Sequence, residues 1–380
     1  MSEPFRPGVL SSRQLTFLAR AGVIEGVVNP LDASGASAID LTLAEEGWKL
    51  HGSIKGRMDR PYTDVLTQSH FIDKNLDLSR PTLLEPANTY VIRLKESFYF
   101  DDYPDLQGYA SGKSSIGRLD MLVRLVADYA AGYDEVLPRR TSGRWRVSLY
   151  AEVTPISFPI LVMAGVTLNQ LRLYQGNPRL CELSPEELNL YGEVLTGPHG
   201  GETDSGGVGE LTVDVSPVKE GSCAGYIGFE ARADVREPID LVSRAKGHDP
   251  HLYWRPVTPD GETAETLKVV PERFYILRSR ERFSLPPDVA AFVHAVTEQL
   301  GELRIHYAGF VHPGFGWGRA GGTPLIFETR GHNIVTFLRQ GERMATIRYF
   351  RMSEAVDLGS IAPDNYQMQE LNLSKYFRPW

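Results

Sequence analysis

Two stretches of this chain, PANTYVIRLKESF at 86–98 and PERFYILRSRERF at 271–283, align without a gap and share Pro, Tyr, Arg, Glu and Phe at matched positions. A segment repeated at such a distance points to two related folding units. Glu152 stands 13 positions before Gly165 and Glu328 stands 13 before Gly341, each between strand-like runs, and Ile39-Asp40-Leu41 recurs as Ile239-Asp240-Leu241. The chain therefore reads as a tandem duplication, with one unit over 1–194 and a second over 211–380. The joining stretch 195–210, LTGPHGGETDSGGVGE, replaces the apolar pattern with Gly, Ser and acidic residues and reads as a linker.

Each unit is expected to be mainly β. Gly and Pro punctuation is dense, 36 and 25 residues, and the segments between are short, alternating and rich in Val, Ile, Leu, Tyr and Phe. VSLYAEV (147–153), TLNQLRLY (167–174), RFYILRS (273–279), NIVTFLR (333–339) and MATIRYF (344–350) read as strands. Helical patterns are expected at 11–21, 113–119, 185–190 and 287–300, the last opening with Pro-Pro-Asp as a helix start should.

The formal net charge of −8 argues against general nucleic-acid affinity, which needs a basic surface. The first 30 residues hold no apolar run of signal-peptide length, and no segment approaches a membrane span, so a cytoplasmic protein is expected. Two cysteines, Cys181 and Cys223, cannot build a disulfide framework and read as ordinary thiols.

The chemistry concentrates in YASGKSSIGRL (109–119). A phosphate loop of the G-x-x-x-x-G-K-[ST] type needs four residues between its glycines and a buried strand before it. Here Gly108 and Gly112 are separated by three, and the preceding DDYPDLQ is acidic and broken by proline. What remains is a short turn followed by Lys113, Ser114, Ser115 and Arg118 on the first turn of a helix. Free N–H groups, two hydroxyls and two cations make a seat for phosphate.

The segment SGKSSIGRLDM, followed by an alternating region, a strand Glu and a Gly 13 residues later, resembles the dCTP deaminases of the dUTPase-like superfamily. The resemblance spans both halves and implies a double-length form: two tandem distorted β-barrels. In that family a G-[RK]-S-S-x-x-R-L segment binds triphosphate and supplies catalytic Ser and Arg, and a strand Glu is the general base. The two halves depart from the pattern in opposite ways. After Arg118 the first half reads RLVADYAAGYDEV, where Ala127 fits but the family's Asp-Pro-Gly is lost, whereas YAGFVHPGFGWG (307–318) keeps Ala308, Pro313, Gly314 and Phe315, with His312 where Asp is usual. Conversely, the second half has VTEQLGEL (296–303) where Ser-Ser-x-x-Arg should stand. Complementary loss implies one composite site: Ser114, Arg118, Lys113 and Ser115 from the first half, with Ala308 and Glu328 from the second. Glu152 is the competing base, disfavoured because its hairpin has lost the base-binding loop.

The zinc-deaminase motifs H-x-E and P-C-x-x-C are absent, so deamination would be free of metal at the base. The resemblance implies dCTP as substrate, Mg²⁺ carried on its phosphates, dUTP as product, and dUTP or dTTP as a feedback ligand. It also implies that Lys375 and Tyr376, in the tail NLSKYFRPW (372–380), fold over the nucleotide. A dUTP diphosphatase, a bifunctional enzyme releasing dUMP, and a degenerate nucleotide sensor stay open as alternatives. Single-domain relatives form threefold rings; two unlike halves cannot alternate around three positions, so a homo-oligomer is possible but its order is open.

Overall fold

The computed structural model describes residues 5–28, 37–68, 70–100, 103–138, 145–197, 209–243, 247–259, 265–295, 303–306, 309–360 and 369–380. Helix α1 (Ser12–Arg20) begins where Ser11 and Gln14 cap each other's backbone N–H groups. The first unit then comprises β1 (Ile39–Leu50), β2 (Thr82–Leu84), β3 (Thr89–Tyr99), β4 (Leu106–Gly112), α2 (Ser114–Gly117), β5 (Met121–Ala127), β6 (Glu135–Val136), β7 (Arg146–Pro155), β8 (Ile160–Val162) and β9 (Thr167–Gln175). After α3 (Pro185–Asn189) and the short β10 (Leu195–Thr196), the second unit comprises β11 (Glu210–Asp214), β12 (Thr266–Val269), β13 (Phe274–Phe283), β14 (Val289–Ala295), β15 (Leu303–Ile305), β16 (Phe310–Val311), β17 (Thr323–Gly331), β18 (Thr336–Arg339) and β19 (Arg343–Arg351).

Both units are antiparallel and share one strand order. The first sheet runs β5-β7-β3-β1-β9-β4-β6. The second runs β15-β17-β13-β11-β19-β14-β16. The small ladder β2–β8 is matched by β12–β18. The register repeats as well: Val91 faces Glu152 and Ile276 faces Glu328, so the two glutamates occupy corresponding places. Gly165 and Gly341 both take left-handed φ, +95° and +78°, at the turns that follow.

A buried carboxylate anchors each sheet. Glu96 accepts the Thr42 N–H at 2.8 Å, and Glu281 accepts the Thr212 N–H at 2.6 Å and its hydroxyl at 2.7 Å. Glu96 carries an unbonded Oε1, and burial pushes its carboxyl up to about 7. These contacts locate the matching strands as β1 and β11. The Ile39-Asp40-Leu41 likeness to residues 239–241 is therefore incidental: Ile239–Asp240 pairs in parallel with β8, outside both large sheets.

The helix expected over 287–300 is instead strand β14 as far as Ala295; residues 296–300 lie outside the described set. VAAFVHA buries Val289, Ala290 and Ala291 against β19, and pairing through all seven residues outweighs the helix-start signal. Near 113–119 only Ser114–Gly117 is helical, and 11–21 and 185–190 are helical within a residue or two.

The chain crosses over between the two cores. Leu183, Leu188, Val194 and Leu195 pack with Leu211, Leu277 and Phe327 in the second. Phe229, Trp254, Leu371, Tyr376 and Phe377 pack with Ile92 and Leu149 in the first. Of the expected linker, Leu195–Thr196 pairs with β13, and residues 198–208 lie outside the described set. The units also meet face to face. Arg172 is fully buried, with its guanidinium 4.9 and 4.4 Å from the rings of Phe292 and Phe310, and Tyr174 packs edge-on against Phe350. Both cysteines are buried and free. Among the described residues no helix is long and apolar enough to cross a membrane.

Candidate active site

α2 is a single turn between β4 and β5. It places Ser114 on the surface and buries Ser115, Ile116 and Arg118. Lys113, expected to meet phosphate, is ion-paired with Asp40 and donates to Thr167 Oγ1 at 3.0 Å. The Arg118 guanidinium is 2 % exposed and is held from the far end of the chain: Nη2 donates to Gln369 Oε1 at 2.7 Å and Nη1 to the Asn372 carbonyl at 3.0 Å. Ser374 Oγ donates to the Ser115 carbonyl at 2.6 Å. Residues 369–377 therefore form a strap across α2. Within that strap Tyr376 is buried in the first core and Lys375 lies half-buried, 5.8 Å from the Tyr376 ring centre.

Glu328 reaches α2 from the second unit. A Cβ on Gly117 would stand 2.6 Å from Glu328 Cδ, so the carboxylate rests directly on a backbone that only glycine leaves bare. Among the described residues nothing donates a hydrogen bond to this carboxylate. Burial pushes it up to about 8; Arg118 pulls it down and Asp120 pushes it further up. Desolvation thus outweighs the nearby guanidinium, a balance that the sequence alone left undecided. A carboxyl poised near neutrality, partly open and free of protein donors, can take and return a proton.

Glu152 occupies the corresponding place in the first unit but is enclosed. It accepts from Ser53 Oγ at 2.7 Å, Tyr133 Oη at 3.1 Å and the Ile54 N–H at 3.2 Å. Burial raises its carboxyl, and these donors pull it back. Burial likewise pushes Tyr133 up to about 12, while Arg124 lies 5.3 Å over its ring. Residues 53–54 and 133 thus fill the space in front of Glu152. Two similarly spaced glutamates therefore have different surroundings: one caged, one facing the Ser-Ser-x-x-Arg segment. Ala308, expected to hold the base, lies outside the described residues. His312 stands 3.3 Å from both Gln170 Oε1 and Ser37 Oγ, at the contact between units.

Sequence reasoning missed the buried charges beside Glu328. Asp120 is paired with His306 and with Arg330 Nη1, the latter at 2.6 Å, and also receives the Ser157 hydroxyl. The signal was available: Asp120 directly follows the Arg118-Leu119 end of the motif, and Arg330 lies two residues beyond Glu328 on the same strand face. No group of three or more His, Cys, Asp or Glu side chains suited to hold a metal ion occurs among the described residues.

Comparison with known proteins agrees over both units. The family model described as the 2'-deoxycytidine 5'-triphosphate deaminase N-terminal domain matches residues 6–177, and the one for the C-terminal domain of the same deaminase matches residues 187–377. No curated protein matches the chain. A similar solved structure is the crystal structure of 2'-deoxycytidine 5'-triphosphate deaminase from Agrobacterium tumefaciens, 29% identical, with a TM-score of 0.79 over 92% of this chain and 97% of that one.

Proposed function

Because the chain belongs to the 2'-deoxycytidine 5'-triphosphate deaminase family, we propose that it hydrolyses dCTP to dUTP and ammonia at one composite site per chain. The observation that carries this reading is the Glu328 carboxylate of the second unit, without a hydrogen-bond donor among the described residues and resting on Gly117 beside Arg118 of the first. In the reaction, water adds to C4 of the cytosine. Glu328 takes one proton from that water and delivers it to N3; it then moves the second, from the new C4 hydroxyl, to the amine. The C4–N bond breaks, C4=O forms and ammonia leaves. Arg118, fixed by Gln369 and Asn372, steadies the charge around Glu328. Ser114, at the exposed start of α2, would meet water or the tetrahedral centre, and Ser115 and Lys113 would meet phosphate. Lys113 must exchange Asp40 for the nucleotide to do so. Ala308, Lys375 and Tyr376 complete the proposed substrate contacts.

Mg²⁺ enters as part of the substrate, carried on the triphosphate, as a cation that is commonly bound through substrate phosphates. We further read the protein as a cytoplasmic hydrolase that arose by duplication of one barrel, with the junction in 195–210. dUTP or dTTP would act as feedback ligands, and the chain would form a homo-oligomer.

The test is incubation of full-length protein with dCTP and Mg²⁺, resolving dUTP, dUMP, ammonia and pyrophosphate. Equal dUTP and ammonia are expected; dUMP with pyrophosphate would indicate the bifunctional enzyme, and dCTP binding without turnover a sensor. Glu328→Gln should lower ammonia release about 10³-fold. Release at the wild-type rate would remove Glu328 from the chemistry.

A further inference from the structure

We propose, building on the deaminase reading above, that Asp120 is a positioning residue for the reaction: it locks α2 of the first unit to the Glu328 strand of the second. Glu328 has no hydrogen-bond donor of its own among the described residues, so its place must be set by what surrounds it. Asp120 supplies that frame from the α2 side. Its φ is +53°, a left-handed conformation that a non-glycine residue adopts only when its neighbours hold it there. Its N–H closes α2 on the Gly117 carbonyl at 2.9 Å, and its own carbonyl receives the Ile156 N–H at 2.9 Å. The side chain is thereby turned inward and is 0 % exposed.

There it meets the two residues that flank Glu328. His306, whose Nε2 contacts Asp120 Oδ1, directly follows β15, and its backbone N–H donates to the Glu328 carbonyl at 2.7 Å. Arg330, two residues along β17, gives Nη1 to Asp120 Oδ2 at 2.6 Å and Nη2 to Glu272 at 3.2 Å. Gly117, Asp120, His306 or Arg330, and Glu328 thus form a closed circuit between the units. Among the described residues, the charged and titratable groups around Glu328 are Arg118 and Asp120 from the end of α2, Arg330 on its own strand and His306 just past the neighbouring one. Of these Asp120 is the buried anion, and it opposes ionisation of Glu328.

Asp120 therefore has two separable effects. It holds geometry through its contacts, and it sets the local charge. Asp120→Asn keeps the shape and removes the charge. In the full-length protein it should lower kcat at least 10-fold, change KM for dCTP less than about 2-fold, and move the ascending limb of the kcat/KM profile to lower pH. Arg330→Gln removes the opposing charge and should move the limb the other way; it also serves if Asp120→Asn fails to fold. Titration of the Glu328 carboxyl by difference infrared spectroscopy, with Glu328→Gln as the blank, gives the same readout without turnover. Wild-type protein that released no ammonia would sink the deaminase reading alone. Limbs and titrations that stay in place in both variants would overturn the role of Asp120 while leaving that reading intact.

Discussion

Gly117→Ala tests the composite site with the smallest possible change. A Cβ at this position would stand 2.0 Å from Glu328 Oε2, 2.6 Å from its Cδ and 2.8 Å from its Oε1. Ordinary heavy-atom contact is about 3.5 Å, so the carboxylate must retreat by about 1.5 Å. Stability should hardly suffer. The displaced atoms are the free end of a side chain that receives no hydrogen bond from the described residues, and Gly117 does not have the left-handed backbone that would penalise alanine. Helix propensity even favours alanine by up to about 1 kcal/mol. Catalysis should suffer, because a displacement of about 1 Å at a proton-transferring group costs roughly 10²-fold in rate. The assay is initial-rate ammonia release over a dCTP series beside a thermal melt of the same sample. The expected result is a melting temperature within about 2–3 °C of wild type, equivalent to roughly 1 kcal/mol, with kcat down about 10²-fold. A Gly117→Ala protein that turned over dCTP at the wild-type rate would show that Glu328 does not work from beside α2, and the composite site would fail.

Four further outcomes follow from the same structure. Since Glu328 is held near 8 when folded and has an ordinary carboxyl value when unfolded, the native chain keeps a proton that the unfolded chain releases. This contribution to stability is full below about 4.5 and lost as pH rises through about 8; Glu328→Gln should therefore melt progressively above wild type from pH 5 to pH 8, and a constant difference would refute the burial argument. In activity the same group should give an ascending kcat/KM limb near pH 8 that is absent from any residual rate of the Glu328→Gln protein. Glu152→Gln should leave kcat within about 2-fold of wild type, because Glu152 is occupied by Ser53, Tyr133 and Ile54; a loss comparable to that of Glu328→Gln would reverse the assignment. Glu281→Ala strands the buried Thr212 N–H and hydroxyl and should destabilise by about 2–3 kcal/mol in denaturant titration, which a shift under about 0.5 kcal/mol would contradict.

Much of the scaffold was legible because both copies obey one pattern. The 86–98 and 271–283 match marked two equivalent segments, and both are central strands, β3 and β13. The misreading at 287–300 came from weighing a local Pro-Pro-Asp signal against a seven-residue apolar run whose period does not decide between helix and strand. Comparison with β4 in the other copy would have settled it. The Ile-Asp-Leu recurrence misled for a different reason: identity of three residues says nothing of burial. The true counterpart, Leu41-Thr42 and Leu211-Thr212, is marked by a Thr N–H that meets a buried carboxylate. At the site, spacing found both glutamates but could not show which one is caged. Ser53 and Tyr133 lie 99 and 19 positions from Glu152, and only the folded chain brings them there. Asp120, His306 and Arg330 were equally hidden, since their link spans 186 and 210 positions.

The strap over α2 also ties function to the order in which the chain is made. Arg118 emerges from the ribosome early, but Gln369 and Asn372, which hold its guanidinium, are synthesised about 250 residues later. Leu371, Tyr376 and Phe377 are likewise missing from the first core until then. The first barrel must wait, incompletely packed, while the second is translated and folds. A product cut short before this segment would carry every residue of the Ser-Ser-x-x-Arg motif and Glu328 yet lack a seated arginine. Turnover thus reports that residues 369–377 have been made and have closed over α2.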